Sequence, residues 1–238
     1  MPRLTERELA ATIDHAILKP DFTRSDVDAE LDIAAEWGVF SVCVRPSDIP
    51  YAVKRLDGTG VAVGTVIGFP HGTTSTTAKV AETIRALEDG ATEFDMVVNI
   101  GALRSGFDEV AVDDIRAVVD AAGGLVTKVI LETSLLDDEQ IARGSRLTEA
   151  GGADFVKTST GFAGGGATVE HVRLMRANVG AGVQVKASGG VRSLDTALAM
   201  IDAGATRLGT SASATILGEL RSVLAGESAS GAVDESSY

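Results

Sequence analysis

Two lysines stand in matching contexts. Lys157 in DFVKTSTGF and Lys186 in VQVKASGG each close a short apolar run, and each is followed at once by small, hydroxylated and glycine residues. A single lysine at the end of a buried strand can reach solvent through its flexible stem. Two of them, 29 residues apart in the same setting, are expected on neighbouring parallel strands with their ammonium groups close together. Like charges in a dry site depress each other's pKa, and burial depresses both. An amine that attacks a carbonyl must be neutral, and from an ordinary value near 10.4 this takes a fall of roughly 3 pH units, about 4 kcal/mol. A second lysine plus burial supplies such a fall, so the pattern is that of a buried amine nucleophile.

Three more reactive side chains close apolar runs: Asp14 in IDHAIL, Cys43 in SVCV and Asp95 in EFDMVVN. Asp95 sits between Phe94 and Met96, where an unpaired carboxylate costs several kcal/mol to bury. Opposite two lysines it reads as part of a catalytic arrangement rather than a structural ion pair, and Asp14 carries the same reasoning. Two glycine-bearing turns, SGGVRS at 188–193 and GTSAS at 209–213, each follow an apolar run and open a helical pattern. Backbone N–H groups at such glycines, together with a helix N-terminus, suit a phosphate. A third run, TGFAGGGAT at 160–168, follows Lys157 and reads as a flexible lid. The histidines His15, His71 and His171 are scattered without ligand spacing, and neither GxGxxG after a strand nor a P-loop occurs, so no metal and no cofactor is expected.

The elements that must position these groups recur along the chain. Runs rich in valine and isoleucine lie at 13–18, 39–44, 61–67, 93–98, 126–132, 154–159, 183–188 and, more weakly, 206–211. Helical periodicity fills the gaps, as in SDVDAELDIAAEWG and TTAKVAETIRALEDG, and the helices end at glycines before the next run. Strands apolar on both faces indicate a parallel sheet covered by helices. Eight such units predict a (β/α)8 TIM barrel in a single α/β domain over 1–225, with an open doubly wound sheet as the alternative. The two phosphate turns then follow strands seven and eight, the recurrent anion site of that fold. Residues 226–238, ending in Tyr238, are small, polar and acidic and are expected to form a mobile tail.

Composition bounds the partners. The 238 residues are 45% apolar and 23% charged, with a formal net charge of −13, which argues against nucleic acid and anionic membranes. A small-molecule anion would need a local cationic pocket. One cysteine and an N-terminus without an apolar signal core point to the cytoplasm.

Taken in order, IDHAILKP, SVCV, VIGFPHG, EFDMVVNIG, VILET, GADFVKTSTGF, VKASGGVR and RLGTS resemble the deoxyribose-phosphate aldolase family, class I aldolases on a (β/α)8 barrel. The resemblance spans nearly the whole chain. It implies reversible cleavage of 2-deoxy-D-ribose 5-phosphate to D-glyceraldehyde 3-phosphate and acetaldehyde. By position it implies that Lys157 forms the Schiff base, Lys186 lowers its pKa and Asp95 is the acid/base group acting through a water. Gly189, Gly190, Gly209 and Ser211 would hold the phosphate, and Asp14 and Thr160 a substrate hydroxyl and proton relay, with Cys43 beside them. Tyr238 would protonate the enamine carbon. Where some members have a lysine near the phosphate and a second serine, this chain has Phe162 and Ala212. Dimers are common among similar proteins, so a homodimer is the assembly in view. Rival readings are a transaldolase-like class I aldolase and a non-catalytic sugar-phosphate-binding barrel, which would have no use for paired buried lysines.

Overall fold

IDHAI and EFDMV are buried at every residue, as strands covered on both faces must be. The computed structural model describes residues 4–226. In it β1 (Ile13–Ile17), β2 (Ser41–Val44), β3 (Ala62–Ile67), β4 (Glu93–Val97), β5 (Val126–Ile130), β6 (Phe155–Lys157), β7 (Gln184–Ser188) and β8 (Arg207–Thr210) run parallel in chain order. The eighth pairs with the first, so no sheet edge remains and the barrel closes. All eight expected strands are present, the weakly signalled last one included, and the open sheet is ruled out.

Helices wrap the barrel: α1 (Glu6–Ala10), α2 (Arg24–Trp37), α3 (Ile49–Arg55), α4 (Thr76–Glu88), α5 (Ile100–Ser105), α6 (Asp108–Ala121), α7 (Asp138–Ala150), α8 (Val169–Ala177), α9 (Leu194–Asp202) and α10 (Ser213–Leu224). Their ends follow from local chemistry. Thr23 caps α2 in a reciprocal box with Asp26, and Gly38 ends it in the left-handed conformation (φ 59°) that glycine adopts without steric cost. Buried polar ties then fix helices to strands. Lys79 on α4 donates to the Val97 carbonyl (2.8 Å) and to Asp114 on α6 (2.5 Å). His15 on β1 shares hydrogen bonds with Glu30 on α2 and Ser213 on α10, each 2.8 Å. No helix among the described residues is long and apolar enough to cross a membrane. Of the expected tail, 226–238, all but Gly226 lies outside the described residues, Tyr238 included.

Candidate active site

Strand alternation points Glu93 and Asp95, two residues apart, to the same side of β4, and register sets their neighbours. Lys157 pairs with Lys186 and Lys186 with Arg207 across β6, β7 and β8, while Asp95 pairs with Lys128 on β5. The lysines therefore do lie on neighbouring strands. Only Lys157 ends its strand; Asp14, Asp95 and Lys186 lie within theirs, because staggered strands bring different positions to one level.

The hydroxyls that follow each lysine join the two strands. Thr158 Oγ1 donates to the Ser188 carbonyl and accepts from its N–H, both at 2.9 Å, while Ser188 Oγ donates to the Ser159 carbonyl at 2.6 Å. The KTS and KAS motifs are thus stitching that holds both amines in place.

Six buried charges form a closed ring of alternating sign. Lys186 Nζ meets Asp95 Oδ2 (2.8 Å), Asp95 Oδ1 meets Lys128 Nζ (3.0 Å), and Lys128 meets Glu93 (2.6 Å). Glu93 meets Arg207 Nη2 (2.7 Å), Arg207 Nε meets Asp14 Oδ1 (2.7 Å), and Asp14 Oδ2 returns to Lys186 (2.5 Å). Three cations balance three carboxylates. Lys157 hangs outside the ring on one contact, to Asp95 Oδ2 at 2.8 Å.

This arrangement breaks the symmetry of the two lysines. Burial lowers the Lys157 pKa, Asp95 resists, and the neighbouring Lys186 ammonium assists, so the amine ends below its ordinary value. For Lys186 burial acts the same way, but Asp14 and Asp95 outweigh it and raise the pKa. The mutual depression expected from the sequence is therefore one-sided: Lys186 lowers Lys157 and stays a firm ammonium itself. Burial pushes Asp95 up, yet Lys128, Lys157 and Lys186 together hold it well below the usual carboxylate range. Asp14 is likewise held low against burial by Lys186, Lys128 and Arg207.

A cavity at the C-terminal mouth of the barrel is lined by Asp14, Cys43, Lys157, Thr160, Lys186, Gly189, Gly190, Gly209 and Ser211, with Asp95 in contact with both lysines. Asp14 reaches it with its oxygens already accepting from Ser41, Arg207 and Lys186, which makes it an anchor for Lys186. Burial, with Asp95 adding to it, pushes the Cys43 thiol up to about 11, so it meets the cavity as a neutral group. At the end of the cavity formed by the glycine turn, Gly189 (φ 83°) and Gly190 (φ 76°) are successive left-handed residues that side chains would strain. Arg192 lines the same end.

Several details differ from the sequence reading. The α9 N-terminus is already occupied, since Ser193 caps the Thr196 N–H and Glu219 accepts from Leu194 N–H at 2.6 Å. The α10 cap, Ala212, makes no side-chain bond and leaves that helix start uncapped. Gly209 also makes room for its neighbours, since a Cβ there would lie 3.1 Å from Lys186 Cε and 2.8 Å from Ser188 Cβ. The expected flexible lid is docked instead. Ala167 N–H donates to the carbonyls of Ser188 and Gly189, and a Cβ on Gly166 would meet the Gly189 oxygen at 2.3 Å. Phe162 stacks edge-on against Phe69, ring centroids 5.3 Å apart.

Sequence reasoning passed over Lys128, Glu93, Arg207 and Glu132. The first three carry a usable signal, a charge inside a strand that is otherwise core. Glu132 is the sole non-glycine with positive φ (59°) among the described residues; buried, it accepts from Thr160 N–H and from Thr160 Oγ1. Burial raises its pKa against those bonds. Among the described residues no group of three or more histidine, cysteine or acidic side chains is arranged to hold a metal ion.

Comparison with known proteins adds the lineage. A family profile described as DeoC/LacD family aldolase matches residues 9–220. The deoxyribose-phosphate aldolase of Staphylococcus haemolyticus is 55% identical over 213 residues, 90% of this chain and 97% of that one. A crystal structure from Coccidioides immitis superposes with TM-score 0.89 at 44% identity, covering 93% of this chain and 88% of the other. The deoxyribose phosphate aldolase of Aeropyrum pernix, described as tetrameric, gives TM-score 0.86 at 33% identity over 93% and 94% of the two chains.

Proposed function

The chain belongs to the DeoC/LacD aldolase family, and from that premise we infer that it is a class I deoxyribose-phosphate aldolase working through an imine on Lys157. The observation that carries the choice of lysine is charge parity. The ring of six is neutral, so Lys157 is the uncompensated cation of a dry interior and the one that gives up its proton most readily.

The neutral Lys157 amine attacks the aldehyde carbon C1 of 2-deoxy-D-ribose 5-phosphate, and loss of water leaves an iminium. The C2–C3 bond then breaks as a base takes the C3 hydroxyl proton; its electron pair flows into the iminium, giving D-glyceraldehyde 3-phosphate and an enamine on Lys157. Protonation at C2 and hydrolysis release acetaldehyde and restore the amine. We assign the proton transfers to Asp95 and a water, with Lys186 as the fixed ammonium beside them. At the enamine stage Asp95 faces one cation fewer, which raises its affinity for the proton taken from the C3 hydroxyl. Tyr238, outside the described residues, is proposed as the donor to C2, and Thr160 as a relay held by Glu132. The turn at Gly189 and Gly190, with Gly209, Ser211 and Arg192, is proposed to hold the phosphate. We read the enzyme as cytoplasmic and homodimeric, and light scattering distinguishes a dimer from the tetramer described for the Aeropyrum protein.

The test is intact-mass analysis after incubation with acetaldehyde and borohydride, followed by peptide mapping. A single ethyl adduct on Lys157, absent from Lys157→Leu, supports the reading. Labelling scattered over surface lysines refutes it.

A further inference from the structure

Barrel floors are ordinarily filled with layers of branched apolar side chains. Here the floor holds Glu93, the first residue of β4, and Arg207, the first of β8, with exposures of 4% and 6%. Neither lines the substrate cavity. Arg207 is covered from below by the Phe40 ring, 3.6 Å from its guanidinium carbon to the ring centroid, and flanked by Phe155 at 5.7 Å. Phe40 is itself 42% exposed, so a large aromatic is spent at the surface on shielding this one cation. A buried ion pair that served packing alone could be replaced by apolar side chains at no loss of stability.

We propose that Glu93 and Arg207 are positioning residues that set the protonation of Lys157 from the floor of the barrel, by completing the charge ring beneath it. This rests on the reading of Lys157 as the imine-forming amine. Arg207 reaches Asp14 and Glu93; Asp14 holds Lys186, and Glu93 holds Lys128; both lysines hold Asp95, which alone holds Lys157. The groups acting directly on Lys157 are Asp95 of β4, Lys186 of β7, Cys43 of β2 and Glu132 after β5; Asp14 of β1, Lys128 of β5, Glu93 of β4 and Arg207 of β8 stand behind them in the ring. Strand β3, AVGTVI, contributes none.

The consequence is a pair of effects of opposite sign. Glu93→Gln leaves the ring one charge positive, which expels the proton from Lys157; Arg207→Met leaves it one charge negative, which retains the proton. A unit charge about 10 Å away, at an effective dielectric near 20, moves a titration by roughly one pH unit. The double variant restores parity.

The readout is the rate of acetaldehyde trapping on Lys157 by cyanoborohydride across pH, mapped by peptide mass, since only the neutral amine reacts. The midpoint should fall by about one pH unit in Glu93→Gln, rise by about one in Arg207→Met and return near wild type in the double variant. At a fixed pH below the midpoint this reads as about a tenfold faster and a tenfold slower rate, respectively. A purely structural role predicts slower trapping in both single variants with unmoved midpoints, and that result overturns the proposal. Absence of any Lys157 adduct in the wild type would overturn the imine reading itself, a separable failure. If a single variant does not fold, Phe40→Ala carries the test, because hydrating Arg207 weakens its field and raises the midpoint by a few tenths of a pH unit. An unchanged midpoint there counts against the proposal.

Discussion

Asp95 touches three ammonium groups, Lys128 at 3.0 Å and Lys157 and Lys186 at 2.8 Å each, so replacing it by asparagine should separate two steps that a simple loss of activity would merge. A carboxylate about 4 Å from an ammonium at an effective dielectric near 20 stabilises the charged form by about 4 kcal/mol, or roughly 3 pH units. The asparagine carbonyl still accepts a hydrogen bond, so a fall of about 2 units in the Lys157 midpoint is expected. Imine formation in Asp95→Asn should therefore reach to lower pH than in the wild type. Turnover should drop by about 100-fold or more, because the group assigned to move protons is gone. The assays are cyanoborohydride trapping with acetaldehyde, mapped to Lys157, and release of glyceraldehyde 3-phosphate from deoxyribose 5-phosphate. Losing the hub leaves three buried ammonium groups facing one another and costs about 3–5 kcal/mol, so both assays belong at 25 °C with the fold checked by circular dichroism. Lys186, still held by Asp14, should remain unlabelled. Trapping and turnover falling by one common factor, with the midpoint unmoved, would refute Asp95 as the charge hub.

Four further outcomes follow from the same geometry. Gly166→Ala drives a methyl into the Gly189 carbonyl and displaces the segment bonded through Ala167, so KM for deoxyribose 5-phosphate should rise about tenfold while KM for unphosphorylated deoxyribose hardly changes. Glu132→Ala keeps the positive φ and leaves the Thr160 donors unpartnered, at about 1–3 kcal/mol; Glu132→Gly, free of the backbone strain, should melt higher than the alanine variant, and the reverse order would count against strain at that position. Asp14 and Asp95 titrate below their unfolded values, so their stabilisation is complete above about pH 4 and is lost as pH falls through the depressed folded values. Melting temperature should hold from neutrality to about pH 5 and collapse below pH 4; a gradual decline beginning at pH 6 would point to other groups. With its thiol pushed up to about 11, Cys43 should resist alkylation in the native enzyme at pH 8 and react fully once unfolded, which a thiol assay reads directly because the sequence has one cysteine.

The barrel was legible because a strand buried on both faces needs an unbroken apolar run, and the helices between the runs carry their own caps. TRLGTS was the weak case for an instructive reason. Its arginine, which breaks the apolar run, is the ring member Arg207. Lys128 in VTKVILE and Glu93 in EFDMVV break their runs in the same way, and the reasoning that singles out Asp95 applies to both. Glu132 gave no signal at all, since nothing in VILET marks a glutamate forced into the left-handed region. The glycines of 160–168 show a different limit. Glycine admits both mobility and close backbone approach, and composition does not distinguish the two; at Gly166 the close approach wins.

The two lysines illustrate why site chemistry is harder to read than fold. Their sequence contexts are nearly the same, and pairwise reasoning makes them equivalent partners that depress each other. What separates them is Asp14, 172 positions from Lys186 and brought to it by closure of the barrel between β1 and β8. That one contact makes Lys186 a member of a neutral ring and leaves Lys157 as its pendant charge. The proposed choice of Lys157 as nucleophile thus rests on the closed barrel: an open sheet with the same strands would leave β1 unpaired with β8 and Lys186 without its second carboxylate, and the asymmetry between the two amines would be lost.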